Sequence, residues 1–188
     1  MSDGAYREPV PFGHFRPRYA PGRPFPPYRF IPGHAPHPIT HPDGHSHGRA
    51  EPVFAPLTEG NWRESEDYLF GVDLYNHAYW WEAHEAWEGL WRVSPEPVAG
   101  FLQGLIQCSG ALIKAHLADA GGTRRLSERG RAKMRESFEN RSGSCEIFLG
   151  IDVPEHLARW DRYFAVAIRR AEGEKIDDEV NPLIILRV

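Results

Sequence analysis

The sequence predicts an all-α protein: a compact bundle of about five helices that follows an extended N-terminal arm rich in proline and histidine. Two observations predict this fold. Thirteen of the 17 prolines lie at or before Pro56. Beyond that point, apolar residues recur at helical spacing in successive segments separated by turn and capping residues. We therefore predict an arm over residues 1–58 and a helical bundle domain over residues 59–188.

Charge and cysteine content exclude several classes of protein. The chain has 22 basic and 26 acidic side chains, so a non-specific nucleic-acid binder is not expected. Cys108 and Cys145 are the only cysteines and form no disulfide framework. Residues 1–10 lack the apolar run of a signal peptide. Polar residues interrupt the apolar stretch 98–117 too often for a membrane span. We predict a cytoplasmic protein with no membrane partner.

The arm combines the features of two kinds of segment. Its prolines favour an extended polyproline II conformation. Its aromatic residues are nevertheless too numerous for a purely solvated tail: Phe12, Phe15, Tyr19, Phe25, Tyr28 and Phe30. The arm either lies across the helices with these rings docked or is a mobile tail, and both alternatives stay open at this stage.

Helix boundaries follow from capping patterns. The predicted helices cover about residues 62–75, 79–92, 95–117 and 123–139, with a fifth that begins after Asp152. Asn61 with Glu64 is predicted to form a capping box, and Ser94 is predicted to cap the third helix with Pro95 at its first position. The pair Gly121-Gly122 is interpreted as a helix stop. The apolar tail 182–188 is expected to dock as an extended segment.

Residue size predicts how closely the third helix packs. Gly100, Gly104 and Cys108 recur every four residues and form a strip with little side-chain bulk. Such a strip lets another backbone approach closely, although each glycine lowers helix propensity by roughly 1 kcal/mol. We expect close packing of a neighbouring helix along this strip.

The second helix carries the most function-like pattern. Four of the six tryptophans fall within residues 80–91, and each buries on the order of 150–250 Å² when packed. His84 and Glu88 are neighbours one helical turn apart, where the buried face meets the polar face. A glutamate at that border is costly to bury unless it is paired or hydrogen bonded.

Three interpretations of this helix stay open. In the first, His84 and Glu88 bond to each other or to a neighbour and only stabilise the bundle. In the second, both bind a divalent metal such as zinc, as the two histidines do in an H-E-x-x-H helix, and Glu85 activates a metal-bound water. In the third, indole faces form the walls of a pocket and Glu82, Glu85 or Glu88 fixes a small molecule or a peptide.

Histidines of the arm are candidates for a missing metal ligand. Five of the ten histidines lie between residues 34 and 47, and imidazoles at this density can capture zinc, nickel or copper. The candidates are His37, His45 and His47. The alternative is adventitious binding, since no cysteine or aspartate array fixes a geometry there.

Two segments together resemble a known family. Asp73 to Asn76 and Trp80 to Trp91, followed by the run F-L-Q-G-L-I-Q at 101–107, are similar to the domain-of-unknown-function 309 family over about residues 66–135. The resemblance implies a small all-α bundle in which these two helices pack together, and it implies no activity. This chain departs from the family at Ala78 and Trp80. The matching positions are Asn76, Glu82, His84, Glu85, Glu88, Trp91, Gln103, Gly104 and Gln107.

These observations converge on a groove between the second and third helices. Its predicted lining residues are Trp80, His84, Glu88, Trp91, Gln103 and Gln107. Glu82, further round the second helix, is an additional candidate for ligand binding. The favoured function is a binding module for a small ligand or peptide. The alternative is a metal-dependent hydrolase with His84 and Glu88 as ligands and Glu85 as general base. Whether the chain is an enzyme, which ligand it takes and whether it forms a homo-oligomer are left open by the sequence.

Overall fold

The computed structural model describes residues 7–11, 18–141, 143–177 and 182–187. Five α-helices and one two-stranded hairpin make up its regular structure. The predicted all-α bundle of five helices is confirmed. The elements are α1 (Glu66–Asn76), α2 (Trp80–Val93), α3 (Val98–His116), α4 (Ala120–Glu139), β1 (Ile147–Phe148), β2 (Ile151–Asp152) and α5 (Val153–Ala171).

Two predicted caps at helix starts were wrong. Helix α1 is capped by Ser65, whose side chain accepts from the backbone N–H of Tyr68. Asn61, the predicted cap, instead closes the preceding turn by accepting from the Thr58 N–H at 2.8 Å. Ser94 does not cap α3 either: its hydroxyl donates to Leu90 O at 2.7 Å, at the end of α2. Side-chain oxygens that can cap a helix also serve turns, so spacing alone chose the wrong partner.

The turn between α3 and α4 also differs from the prediction. Helix α3 ends at His116, and the chain turns through Ala118, which has φ +54°. Asp119 then caps α4 by accepting from the Gly122 N–H at 2.7 Å. The predicted stop at Gly121-Gly122 was therefore wrong, because both glycines lie in the first turn of α4. Ala78 makes the same left-handed turn, with φ +64°, between α1 and α2.

Helix α3 lies at the centre of the bundle. By length and composition α3 could cross a membrane, but 67% of its apolar stretch is buried inside the molecule. Its Gly104 carbonyl approaches Gly130 of α4 so closely that a Cβ at Gly130 would lie 2.8 Å from it. The predicted strip of small residues is thus the surface that receives α4. Burial to this extent is typical of a helix in a protein core.

Two glycines in α3 allow the close packing to be tested. A Cβ at Gly104 would lie 2.3 Å from Met134 Cγ and 2.7 Å from Gly130 O, so alanine there must push α4 away. We expect Gly104→Ala to lower the free energy of unfolding by about 1–3 kcal/mol. At Gly110, alanine meets only Leu126 Cδ1, at 3.3 Å. Gly110→Ala should therefore gain up to about 1 kcal/mol from helix propensity. Chemical denaturation measures both, and equal effects of the two changes would contradict the packing.

The described part of the arm is docked on the helices. Asp73 of α1 is 1% exposed and accepts from the backbone N–H groups of Tyr19 at 2.8 Å and Ala20 at 2.9 Å. The ring of Phe25 stacks on Tyr79, with ring centroids 5.0 Å apart. Ile31 is also buried in the core. Of the aromatic residues expected to dock, Phe12 and Phe15 lie outside the described residues.

The hairpin and the tail complete the bundle. Leu149 (φ +49°) and Gly150 (φ +79°) form the two-residue turn between β1 and β2, as in a type I′ hairpin. Strands of two residues leave no alternation in the sequence, so this hairpin was not predicted. Helix α5 begins after Asp152, as predicted, because the Asp152 side chain accepts from the Glu155 N–H and caps the helix. The tail docks in extended form, as expected, with Leu186 bridged to Ile151.

Candidate functional site

Helix α2 is fixed by its tryptophan-rich face. Trp87 is fully buried, and its indole lies so close to α1 that a Cβ at Gly71 would be 2.2 Å from Nε1. Trp80 and Leu90 are buried on the same side. This packing fixes the rotation of α2 about its axis. His84, Glu85 and Glu88 are consequently placed at the border between core and solvent, where all three are half-buried.

His84 and Glu88 are in direct contact. His84 Nε2 lies 3.1 Å from Glu88 Oε2, and the side chains are 34% and 25% exposed. The other carboxylate oxygen of Glu88 accepts from Arg92 at 2.5 Å. Arg92 in turn lies 3.2 Å from Glu51 of the arm. Glu88 is therefore held in position from both sides, with one oxygen directed at the imidazole.

Glu85 completes a cluster with these two residues. One ligand atom from each of His84, Glu85 and Glu88 lies within 4.8 Å of the others. Burial raises the pKa of Glu85, and the electrostatic interaction with the neighbouring His84 partly opposes this rise. The neighbouring carboxylates of Glu88 and Glu82 raise the pKa further. Carboxylates crowded in this way would be relieved by a cation.

The dimensions of the cluster suit a small divalent ion. Zinc bonds of about 2.0–2.2 Å in tetrahedral geometry place two ligand atoms about 3.4 Å apart. The 3.1 Å between His84 Nε2 and Glu88 Oε2 is close to that separation. An ion would then take the place of the proton that the two atoms share. Within the described ranges, no other group of three or more histidine, cysteine, aspartate or glutamate side chains brings its ligand atoms within 4.8 Å of one another.

Glu82 lies apart from this cluster and holds the arm. Its side chain is 5% exposed, and its Oε1 accepts from the Phe30 N–H at 2.9 Å. The same oxygen lies 3.1 Å from His45 Nε2. Its other oxygen, Oε2, is buried and has no hydrogen-bond partner among the residues described. The predicted ligand-binding residue Glu82 thus binds a segment of its own chain in this structure.

Hydrogen bonds decide which arm histidines retain a nitrogen lone pair. His45 Nε2 faces a carboxylate and therefore carries a proton. His37 Nδ1 accepts from the backbone N–H groups of Ile39 and Thr40, both at 3.3 Å, which places its proton on Nε2. His47 Nδ1 lies 2.9 Å from Ile39 O and must donate to it, leaving the lone pair on Nε2.

The structure does not bring these histidines to the α2 cluster. His37 packs its ring against Trp81 at 5.4 Å, and His45 pairs with Glu82. Metal binding by His45 through Nε2 would require its contact with Glu82 to break. Metal binding by His37 through Nδ1 would require its hydrogen bonds from Ile39 and Thr40 to break. His47 is exposed on the loop and retains its lone pair, as do many metal-binding histidines that donate their other N–H to a carbonyl.

The remaining predicted site residues are carried by α2 and α3: Trp91 lies on α2, and Gln103 and Gln107 lie on α3. The two helices are joined by residues 94–97, so His84 is ten residues before Ser94 and Gln107 is ten residues after Pro97. At 1.5 Å per residue, both are at the same level of the helix pair. Gln107 Oε1 is buried without a partner among the described residues. Gln103 and Trp91 are half-buried.

Trp80 belongs to a different surface. Its ring lies 5.9 Å from that of His116, at the far end of α3. Both residues line a cavity of about 230 Å³ with Tyr163 and Arg170 of α5. Ligand pockets typically measure about 300–1,000 Å³. The cavity at Trp80 is smaller than this range, and none of its lining residues belongs to the cluster of His84, Glu85 and Glu88.

The roles of two polar residues of α1, Asp73 and Asn76, were not predicted from the sequence. Asp73 binds the arm, and the Asn76 carboxamide binds the tail through Ile184, at 2.8 Å to its O and 2.9 Å to its N. Both are polar residues inside a strongly apolar helix. That pattern signals a buried hydrogen-bonding role, although it does not name the partner.

Comparison with known proteins gives one match. Residues 68–126 match the model of a family described as a domain of unknown function, DUF309. The match runs from the first turns of α1 into α4 and includes the whole α2 cluster. No curated protein and no solved structure matches the chain.

Proposed function

We propose from the geometry of the α2 cluster that the chain is a binding module for a divalent cation, since the family model that residues 68–126 match carries no description of an activity. The ligands are His84 Nε2 and Glu88 Oε2, with Glu85 as the third. The observation that carries this proposal is the approach of all three ligand atoms to within 4.8 Å on one rigid helix. Borderline ions such as zinc fit a mixed imidazole and carboxylate set.

The charge of the site supports a cation. Burial and the neighbouring carboxylates raise the pKa of Glu85, so the ionised form is disfavoured without a counter-charge. A divalent ion would favour the ionised form and release the proton. Binding should therefore weaken as pH falls, because the ligands must be deprotonated.

The first experiment measures metal content and affinity in untagged protein. We expect about one equivalent of one metal after dialysis, and loss of at least about 100-fold in affinity for His84→Ala, since loss of even an outer-shell partner weakens metal sites by about 10- to 100-fold. His41→Ala is the matched control, because His41 is exposed on the arm. A loosely bound mixture that is the same in all three proteins would refute the proposal.

A metal-dependent hydrolase is the second candidate, and one observation favours it. A carboxylate with a raised pKa beside a metal is suited to accept a proton from bound water. In that case Glu85 is the base rather than a ligand. Glu85→Gln then retains the metal and loses hydrolysis, whereas in the binding module the same change weakens metal binding.

The proposal includes a cytoplasmic location. Its support is the chemistry of the cysteines: Cys108 is buried and Cys145 is exposed, and both are free thiols. Free thiols persist in reducing compartments.

A further inference from the structure

The tail occupies a groove that binds it as a receptor binds a peptide. The groove is formed by the end of α1, one face of α5 and the β1–β2 hairpin. Asn76 pairs with both backbone polar groups of Ile184, at 2.8 and 2.9 Å. One carboxamide that meets the C=O and the N–H of the same residue fixes an extended backbone, as in strand addition.

Further groove contacts are also made to backbone atoms of the tail. Pro182 O accepts from Tyr75 Oη at 3.1 Å and from Trp160 Nε1 at 3.3 Å. Leu183 O accepts from Arg159 Nη1 at 3.2 Å. These contacts do not depend on which side chains the tail carries.

The hairpin and the arm add further backbone contacts. The Arg187 N–H donates to Gly150 O at 2.7 Å, and Leu186 bridges to Ile151. The Leu186 N–H donates to the Tyr19 hydroxyl at 2.9 Å. The tail thus lies along the hairpin in the manner of an added strand.

Side chains of the tail supply the apolar part of the contact. Leu183, Ile184 and Leu186 are 1%, 0% and 5% exposed. Ile185 points partly to solvent. A ligand for this groove is therefore a short extended peptide with proline followed by apolar residues, and with no charge between them.

We infer that this groove is a binding site for an extended apolar peptide of a partner protein, and that the chain's own tail competes for it. Three features support a separable ligand. The polar contacts described above for residues 182–186 all reach backbone atoms. Ten residues, 172–181, separate the tail from α5. That connection is rich in acidic residues and includes no apolar run. The groove is distinct from the α2 cluster.

A labelled peptide with the sequence of residues 182–188 serves as the probe, with full-length protein as receptor. Ile184→Pro removes the N–H that Asn76 binds and should displace the tail. A tethered tail has an effective concentration in the millimolar range. For a peptide that binds at about 10 μM, the wild type should then bind on the order of 100-fold more weakly than Ile184→Pro.

Two controls keep the result specific. A peptide that is N-methylated at the position of Ile184 lacks the same N–H and should not bind. Asn76→Ala combined with Ile184→Pro should also lose binding. If Ile184→Pro does not fold, as judged by circular dichroism, Ile184→Asp replaces it, because a carboxylate is costly to bury in the apolar groove and should also displace the tail.

Three results would overturn the inference. The first is a folded displaced variant that does not bind the peptide. The second is equal binding of the N-methylated peptide. The third is a stable wild-type dimer in light scattering that the peptide dissociates, because the occupant would then be the tail of a second copy of this chain. Peptide binding is measured without metal, so a peptide that does not bind would contradict this inference and would not bear on the proposed cation site.

Discussion

Asp73→Ala should lower the free energy of unfolding by about 3 kcal/mol and free the arm. Its carboxylate is 2% exposed, accepts from two backbone N–H groups of the arm, and pairs with Arg18 at 3.3 Å. Removing one partner of a buried ion pair typically costs about 3–5 kcal/mol, since the other groups are left unpaired. Denaturation measures the loss of stability, and limited trypsin digestion after Arg18, where Tyr19 follows, measures release of the arm.

Asp67→Ala is the matched control for this change. Asp67 lies on the same helix and also pairs with an arginine of the arm, Arg23, but both side chains are more than a third exposed. An exposed pair contributes up to about 1 kcal/mol. A loss for Asp73→Ala no larger than that for Asp67→Ala would show that the buried carboxylate does not hold the arm.

His156 should make the protein sensitive to acid. The side chain is buried against Trp160, with ring centroids 4.4 Å apart. Its Nε2 has no hydrogen-bond partner among the described residues. Burial, with a smaller effect of the Arg159 charge, lowers the pKa of His156 to about 3. The folded protein therefore keeps this ring uncharged over a range in which the unfolded chain protonates it.

The sign of the effect follows from proton binding. Between the unfolded pKa of about 6.5 and the folded value of about 3, the unfolded state binds one more proton. The contribution of uncharged His156 to the free energy of unfolding is therefore fully present above about pH 6.5. It falls as pH is lowered, by at most about 1.4 kcal/mol per pH unit. Near pH 3 the accumulated loss is on the order of 4 kcal/mol.

His156→Leu isolates this contribution. The variant removes the ionisable group and keeps an apolar side chain in the core. Its free energy of unfolding, measured by urea denaturation from pH 7 to pH 4, should fall less steeply than that of the wild type. Parallel curves for the two proteins would show that His156 is not the group that titrates.

The order of helices was predictable because their apolar faces are long. In α5, Leu157, Trp160 and Phe164 recur at helical spacing and are all buried, since this spacing leaves one consistent apolar face. Capping residues were less predictable. Asn61 and Ser94 have the right chemistry for caps, but both serve turns, and only tertiary contacts select the partner.

Part of the candidate site was predictable from helical spacing. The contact of His84 with Glu88 follows from one helical turn, so spacing was sufficient. The pairing of Glu82 with His45 spans 37 residues through an arm with no periodicity, so no sequence signal leads to it. The roles of Asp73 and Asn76 escaped prediction because their partners are backbone atoms, which every residue carries.

Helix α1 binds both the arm and the tail, and this affects the order in which contacts form during folding. Asp73 binds the arm across about 54 residues, and Asn76 binds the tail across 108 residues. Tyr19 and Leu186 join arm to tail across 167 residues. Contacts so distant in sequence must close long loops, which slows folding relative to a bundle with only local contacts. During synthesis the helices can pair early, while the last backbone contacts form only after residues 182–187 have left the ribosome.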